Sequence, residues 1–494
     1  MATTHPGLPG ADRVGPERPR RRARAVVLVS VLLAAGGILS GLAARQPPRP
    51  SLQPAAVAAE SAPTGSRSSS WYCTGASGPA DPVAEATLLL VDTGQRAVTA
   101  TLRVVDDAGR SASSTFVIPG GGERVESPGR LVAGRWLSSE VDVAGGGVVV
   151  TELVSGRSGW AESPCATETS PNWYFATGST AAGSSMDLSL FNPTANLAVV
   201  DLSFVTATGV EQPQPYQGIV VASGATITEQ VGTYVQGQAA VATQVTARSG
   251  TLVAALLQLY GADHLTGTSL RLGAPALART WFVPRADDPP GGTAQLAVFN
   301  PTGAPERVHV AVALASGAIV PFEDVVAPQS TWELVANEQV RIPAGMDYSV
   351  RVTASKGPGV VVERTDAVPA TSAPPQWGAT GALPAALTRA SRNWALAGLS
   401  PSGVVAADRP VVLVVSNPGR RPVRVLVHGL PGTGGSRGRG ASLADVLVPP
   451  RATRALTVGL RSVLVSATGP LVVAGDASPP TEPGLDPVPV VPLG

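Results

Sequence analysis

The chain has 494 residues, 44% hydrophobic and 14% charged, and its 36 Lys and Arg nearly balance 35 Asp and Glu. Such a length holds several domains, each with a core of its own. The balance excludes the strongly basic face of a nucleic-acid binder, so no nucleic-acid partner is expected.

The N-terminus is tripartite. Arg18, Arg20, Arg21, Arg22 and Arg24 precede an uncharged stretch from Ala25 to Ala44 that is rich in Val, Leu and Ala. At about 1.5 Å per residue such a helix spans about 30 Å, one bilayer core. The pattern predicts a signal anchor at 25–44, a cytoplasmic basic tail at 1–24 and an extracytoplasmic remainder, hence a single-pass protein of the cytoplasmic membrane. A cleaved signal peptide is the alternative, with small-residue cleavage sites at Leu42-Ala43-Ala44 and Ala56-Val57-Ala58; the product would then be secreted. Residues 45–70 are rich in Pro, Ala and Ser and read as a semi-extended linker.

From there the chain repeats itself. Four blocks open at Trp71, Trp173, Trp281 and Trp394, and in each a strand then runs into a turn at Asp92, Asn192-Pro193, Asn300-Pro301 or Asn417-Pro418. The turn positions lie 100, 108 and 117 residues apart, too far for a solenoid and suited to small domains. The predicted repeats are 71–170, 171–278, 279–390 and 391–479, followed by a Pro-rich tail at 480–494. The third is the clearest. Ala294, Leu296 and Val298 alternate before Asn300, and Val308, Val310, Val312 and Leu314 alternate after it. Period-two apolar spacing bounded by Gly, Pro and Asn predicts strands with one buried face. Six or seven short strands per block, without an amphipathic helix, predict an all-β chain of four tandem immunoglobulin-like β-sandwiches. A closed β-propeller-like ring is the alternative, although propeller blades are about half this period.

Asn tolerates turn geometry and bonds its own backbone, while Pro fixes φ and cannot donate to a ladder, so the Asn-Pro steps read as strand terminators. The opening tryptophans read as core or inter-domain packing. Trp173-Tyr174-Phe175-Ala176-Thr177-Gly178, Asn300-Pro301 and Val361-Val362-Glu363-Arg364 together resemble a repeat of exported actinobacterial proteins, and the chain resembles a membrane-anchored family known only as a domain of unknown function. The resemblance departs at Asp92-Thr93 in block 1 and Gly475-Asp476 in block 4. It implies no activity and no catalytic residues.

Chemistry-bearing residues are few. Cys73 and Cys165, the chain's two cysteines, flank block 1. In an exported chain they are expected to form a disulfide. His309 and His428 are out of phase with the inward valines and should point away from their own cores. His5 falls in the basic tail and His264 in the junction between blocks 2 and 3, where Asp263 beside it makes a poor catalytic partner. The glycine-rich 432–440 lacks the end of a phosphate loop, with Arg437 and Arg439 as a minority anion-binding reading. Asp287 and Asp288 could contribute calcium ligands, but two carboxylates without further spaced oxygens read first as a solvated turn. No catalytic, cofactor-binding or metal-binding residue is assigned, and no cofactor is expected. The expected role is a non-catalytic, membrane-anchored scaffold or adaptor of the bacterial cell envelope that binds protein or glycan. The alternative is a secreted carbohydrate-acting enzyme or a soluble glycan-binding protein. Such an enzyme requires two carboxylates about 5–10 Å apart across one cleft.

Overall fold

A computed structural model of the chain describes residues 59–261, 267–286, 293–314, 317–343, 348–367, 391–398, 411–430, 442–459, 462–476 and 487–493. The anchor segment 25–44 and the basic tail lie outside these residues, as do His5, His264, Asp287, Asp288, Arg437 and Arg439. Among the described residues no helix is long and apolar enough to cross a membrane. They form strands and four short 3-10 turns, in several sheets of which none closes into a barrel.

Block 1 contains β1 (Ser69–Ser77), β2 (Glu85–Asp92), β3 (Val98–Asp106), β4 (Ser111–Ile118), β5 (Glu123–Glu126), β6 (Trp136–Val143), β7 (Val148–Gly156) and β8 (Gly159–Pro164). A front layer runs β4-β3-β6-β1 and a back layer β5-β2-β7-β8. Only the parallel pair Ser77 and Glu85 links β1 to β2. Between the layers, Trp71, Leu102, Val104 and Val141 from the front meet Leu88, Leu90, Val148 and Val150 from the back. These are alternate residues of each strand, as the period-two pattern requires.

Block 2 contains β9 (Asn172–Phe175), β10 (Ser185–Asn192), β11 (Ala198–Thr206), β12 (Gly209–Glu211), β13 (Gln217–Val221), β14 (Ala225–Gln230), β15 (Ala242–Ser249), β16 (Val253–Tyr260) and β17 (Gly267–Leu272). Its front layer is β12-β11-β15-β9, with β13 also on β11, and its back layer β14-β10-β16-β17.

Block 3 contains β18 (Thr280–Ala286), β19 (Thr293–Asn300), β20 (Glu306–Leu314), β21 (Gly317–Ala318), β22 (Phe322–Val326), β23 (Ser330–Val335), β24 (Tyr348–Ala354) and β25 (Val361–Ala367). The layers are β18-β24-β20-β21, with β22 on β20, and β23-β19-β25.

Block 4 contains β26 (Ser391–Leu396), β27 (Val412–Ser416), β28 (Val423–Gly429), β29 (Ser442–Val448), β30 (Thr453–Thr457), β31 (Val463–Asp476), β32 (Pro487–Val488) and β33 (Val490–Pro492). The long β31 serves both layers. It pairs with β28 and β26 through its first half and with β27 and β32 through its last residues. The segment read from sequence as a Pro-rich tail therefore supplies two strands, because Val488, Val490 and Val491 are buried. The end of the predicted linker is folded too: Ser61 is buried, and its Oγ donates to Val148 O at 2.8 Å.

The strands that the four blocks have in common follow one order, and one local device recurs with it. The turn before β5 and the matching turn before β14 each hold a left-handed residue, Gly121 and Gly224. In blocks 3 and 4 the same place is held by Gln329 and Arg451, with φ of 48° and 55°, a conformation costly for residues with a Cβ.

The blocks do not keep their cores to themselves. At every junction the outward face of one back layer packs on the outward face of another block's front layer. Block 2 meets block 1 where Ser138 Oγ donates to Thr226 Oγ1 at 2.8 Å and Tyr72 stands edge-on to Phe191. Block 3 meets block 2 through Phe299 and Val361 against Ala176, Val205 and Ala242. Block 4 meets block 3 where Thr453 Oγ1 donates to Ser349 Oγ at 3.1 Å. Block 1 in turn meets block 4: Ala395 and Val491 of block 4 join the core cluster of block 1, and Leu89, Val91 and Leu153 of block 1 join that of block 4. Ser462 N donates there to Glu123 Oε1 at 3.2 Å, and Ser61 forms a parallel bridge with Leu493. The blocks are two-layer units, unlike propeller blades, yet their contacts return from block 4 to block 1.

Candidate functional site

The recurrent turn is a side-chain clamp. Asn192 Nδ2 donates to Asn196 O at 2.7 Å and Val221 O at 3.0 Å, while its Oδ1 accepts from Thr194 N and Oγ1. Asn300 repeats this with Ala304 O, Val326 O and Ala327 O, and Asn417 with Arg421 O, Val448 O and Pro449 O. The amide thus ties the end of the second strand to the loop behind it and to the end of β13, β22 or β29. Pro193, Pro301 and Pro418 follow at half-buried positions. In block 1 the clamp is Asp92. Its Oδ1 accepts from Gly94 N at 2.7 Å, but its buried Oδ2 has no partner. Burial pushes the Asp92 carboxyl up to about 6, against the bond from Gly94, which lowers it.

Cys73 in β1 and Cys165 just after β8 are disulfide-bonded, with Cα atoms 4.6 Å apart and both residues buried. The bond ties the opening strand of block 1 to its exit. The four opening tryptophans are fully buried. Trp173 Nε1 donates to Leu252 O and Trp281 Nε1 to Ala278 O and Val360 O. His309 and His428 are half-buried beside buried valines, away from their cores.

The densest polar chemistry lies where the sequence reading placed none. At the junction of blocks 2 and 3, Glu363 Oε2 accepts from Arg271 Nη1 at 3.0 Å and from the backbone N–H groups of Ala176 and Thr177, both at 2.9 Å. Arg271 is fully buried, and its Nε and Nη2 have no partner. Burial raises the Glu363 carboxyl above the usual range, opposed by Arg271 and by the two backbone donors. A carboxylate from β25 thereby caps the end of β9 in the neighbouring block. Its sequence signal was a charged residue closing the apolar run Val360-Val361-Val362; for Arg271 the signal was an arginine between Leu270 and Leu272.

Two more buried carboxyls, Glu152 and Glu162, are each pushed up to about 8 by desolvation. Thr151 Oγ1 donates to Glu162 Oε1, and Glu162 Oε2 is unpartnered. Glu152 faces Ser163 in the β7–β8 ladder, whereas Glu162 faces Leu153. Adjacent ladder positions point to opposite faces, so these two acids do not flank one cleft. Among the described residues no group of three His, Cys, Asp or Glu could hold a metal ion.

The outer surface carries one feature in all four blocks. Val117, Val220, Val325 and Leu447 each stand one residue before the end of an edge strand, opposite Thr99, Val199, Arg307 and Arg424. They are 54%, 58%, 45% and 61% exposed, although the next residue in each strand is buried.

A domain described as Family of unknown function (DUF5719) covers residues 142–373, from the end of β6 to just past β25. No curated protein matches the chain. Among solved structures, Thermotoga maritima 1070 is 19% identical with a TM-score of 0.18, over 19% of this chain and 82% of that one. A tetra-tandem repeat from the extending region of a large adhesion protein is 13% identical with a TM-score of 0.11, over 88% and 99%. The Streptomyces avermitilis alpha-L-rhamnosidase complexed with L-rhamnose is 13% identical with a TM-score of 0.14, over 63% and 46%. At these scores none carries an inference about this chain.

Proposed function

We propose that the chain is a non-catalytic, membrane-anchored extracytoplasmic scaffold or adaptor of the bacterial cell envelope, built from tandem immunoglobulin-like β-sandwiches that bind protein or glycan. The observation that carries the reading is the exposed apolar residue at one register of one edge strand in all four blocks. A sheet edge offers unpaired backbone groups, and a side chain repeated along such edges gives a multivalent contact. The buried disulfide fits an oxidising compartment outside the cytoplasm, and the arginine cluster before 25–44 fits an anchor oriented with its tail inside.

The test places a photo-crosslinking residue at positions 117, 220, 325 and 447 in cells, with the buried position 310 as control. Envelope protein or glycan joined from the edge positions and not from 310 is the expected result. Equal labelling at all five positions would remove the reading. N-terminal sequencing of the exported chain tests the anchor separately: a start near Arg45 or Ala59 replaces it with a secreted product.

A further inference from the structure

We propose that the free edge of β4 pairs with the β4 edge of a second copy of this chain, joining the two as an antiparallel, two-fold dimer. Among the described strands β4 pairs with β3 alone. The matching edges of the other blocks are shortened, charged or bulged, the usual defences against edge pairing. β13 has five residues and its pairing with β11 slips at Val200–Asp201. β22 has five and carries Glu323 and Asp324, while β29 carries Asp445 and its pairing with β28 slips at Val427–His428. β4 has none of these defences: its eight residues, Ser111–Ile118, include no charge, and its register on β3 is unbroken.

The direction of its backbone groups follows from the ladder. Asp106 N donates to Arg110 O at 3.0 Å, one step beyond the Val105–Ser111 pair, and Thr99 O is turned the other way, to Ala144 N at the end of β6. Bonded and unbonded pairs alternate in an antiparallel ladder. Ala112, Ser114 and Phe116 therefore bond β3, whereas Ser111, Ser113, Thr115 and Val117 turn their N–H and C=O groups to the free edge. Those four are also exposed, while Phe116 and Ile118 are buried. One two-fold register pairs all four with one another: Ser111 opposite Val117 and Ser113 opposite Thr115, with Ser114 on the axis. Moving the axis by one residue loses a pair, since it sets Ser111 opposite Pro119, which has no N–H, or Val117 opposite Gly109 in the turn. The full register makes about eight hydrogen bonds, two for each bonded pair, and sets hydroxyl beside hydroxyl at Ser113 and Thr115. Its ends are complementary too. Asp107 is exposed beyond Ser111, Arg96 is exposed beside Gly120 beyond Ile118, and two-fold pairing sets each against the other.

A contact of one strand pair is small, so the dimer should depend on concentration. The proposal rests on the reading of these edges as contact surfaces and names the occupant of one of them. Light scattering on the full chain in mild detergent, from about 1 to about 300 µM, should show the mass rising toward double. Ser113→Pro removes an outward N–H that β3 does not use, and should raise the dissociation constant roughly tenfold with the unfolding temperature unchanged. Ser113→Lys with Thr115→Lys should be monomeric, as should Ser113→Glu with Thr115→Glu, and mixing the two double variants should restore the dimer. Ser114→Cys should link two chains on mild oxidation, because pairing on the axis brings its Cα atoms to about 4.5 Å. A wild-type chain that stays monomeric throughout overturns the proposal. So does a dimer that the edge variants leave undiminished, which would assign it to another surface, or a mixture of the charged variants that restores nothing. Envelope partners still joined from positions 220, 325 and 447 would in those cases leave the wider reading standing.

Discussion

Asp92→Asn should stabilise block 1, and the gain should depend on pH. Each asparagine at this place in blocks 2 to 4 donates two or three hydrogen bonds to backbone carbonyls, at 2.7–3.2 Å. Asp92 has the same shape but no donor when ionised, and its buried Oδ2 has no partner. A rise from 3.8 to about 6 corresponds to about 3 kcal/mol against the ionised fold, or about 2 kcal/mol after screening by nearby solvent. The sign follows from linkage. The folded state binds the proton more tightly than the unfolded state, so this stability is fully present below about 3.8 and is lost as pH rises through about 6. Asparagine removes the charge and restores its bonds, worth about 1 kcal/mol more. The expected gain is about 3 kcal/mol at pH 7.5 and about 1 kcal/mol at pH 4. Hydrogen exchange on peptides spanning β2 and β3, with both proteins compared at each pH, should show roughly hundredfold greater protection at pH 7.5 and severalfold at pH 4. A neutral or destabilising substitution at pH 7.5, or a gain of equal size at both pH values, would refute the argument.

The mirror substitution Asn300→Asp should cost block 3 about 2–3 kcal/mol at neutral pH, seen as loss of exchange protection in β19 and β20. Glu363→Ala leaves Arg271 buried and unpaired and should cost about 3–5 kcal/mol by thermal unfolding; adding Arg271→Met should recover much of it. Gln329→Gly relieves a positive φ and should raise stability by about 1 kcal/mol in urea titrations, where an unchanged midpoint would count against strain at that turn. Val310→Asp puts a charge at a position with no solvent exposure and should unfold block 3. Exchange should then rise also at Ala176 and Thr177, whose N–H groups bond Glu363.

Much of the block interior was legible because it depends on local alternation. Val308, Val310 and Val312 face inward as their spacing dictates, and the clamp residue falls where the strand ends because Asn chemistry is local. The junctions are different. Leu88 to Val91 and Val148 to Val150 break the period-two rule because both faces of these strands are covered, one by block 1 and the other by block 4. A continuous apolar run is the sign of a strand buried on both sides, but it does not say what covers it. Nor does spacing join Arg271 to Glu363, 92 residues away on another block.

Those doubly covered strands also bear on why the contacts return from block 4 to block 1. A two-layer block buries its inner faces by itself and needs no neighbour for that. Its back layer, however, stays apolar outside, with Leu89, Val91 and Leu153 in block 1 and Phe299 and Val361 in block 3. In an open row every back layer but the first would be covered, and the first would leave its apolar face in water. Docking block 1 on block 4 removes that exposure without any new kind of interface, since the surfaces are those used at the other three junctions. Heterologous contacts of this sort either close or propagate. Here a single chain closes them, through Ser462 on Glu123 and Leu493 beside Ser61.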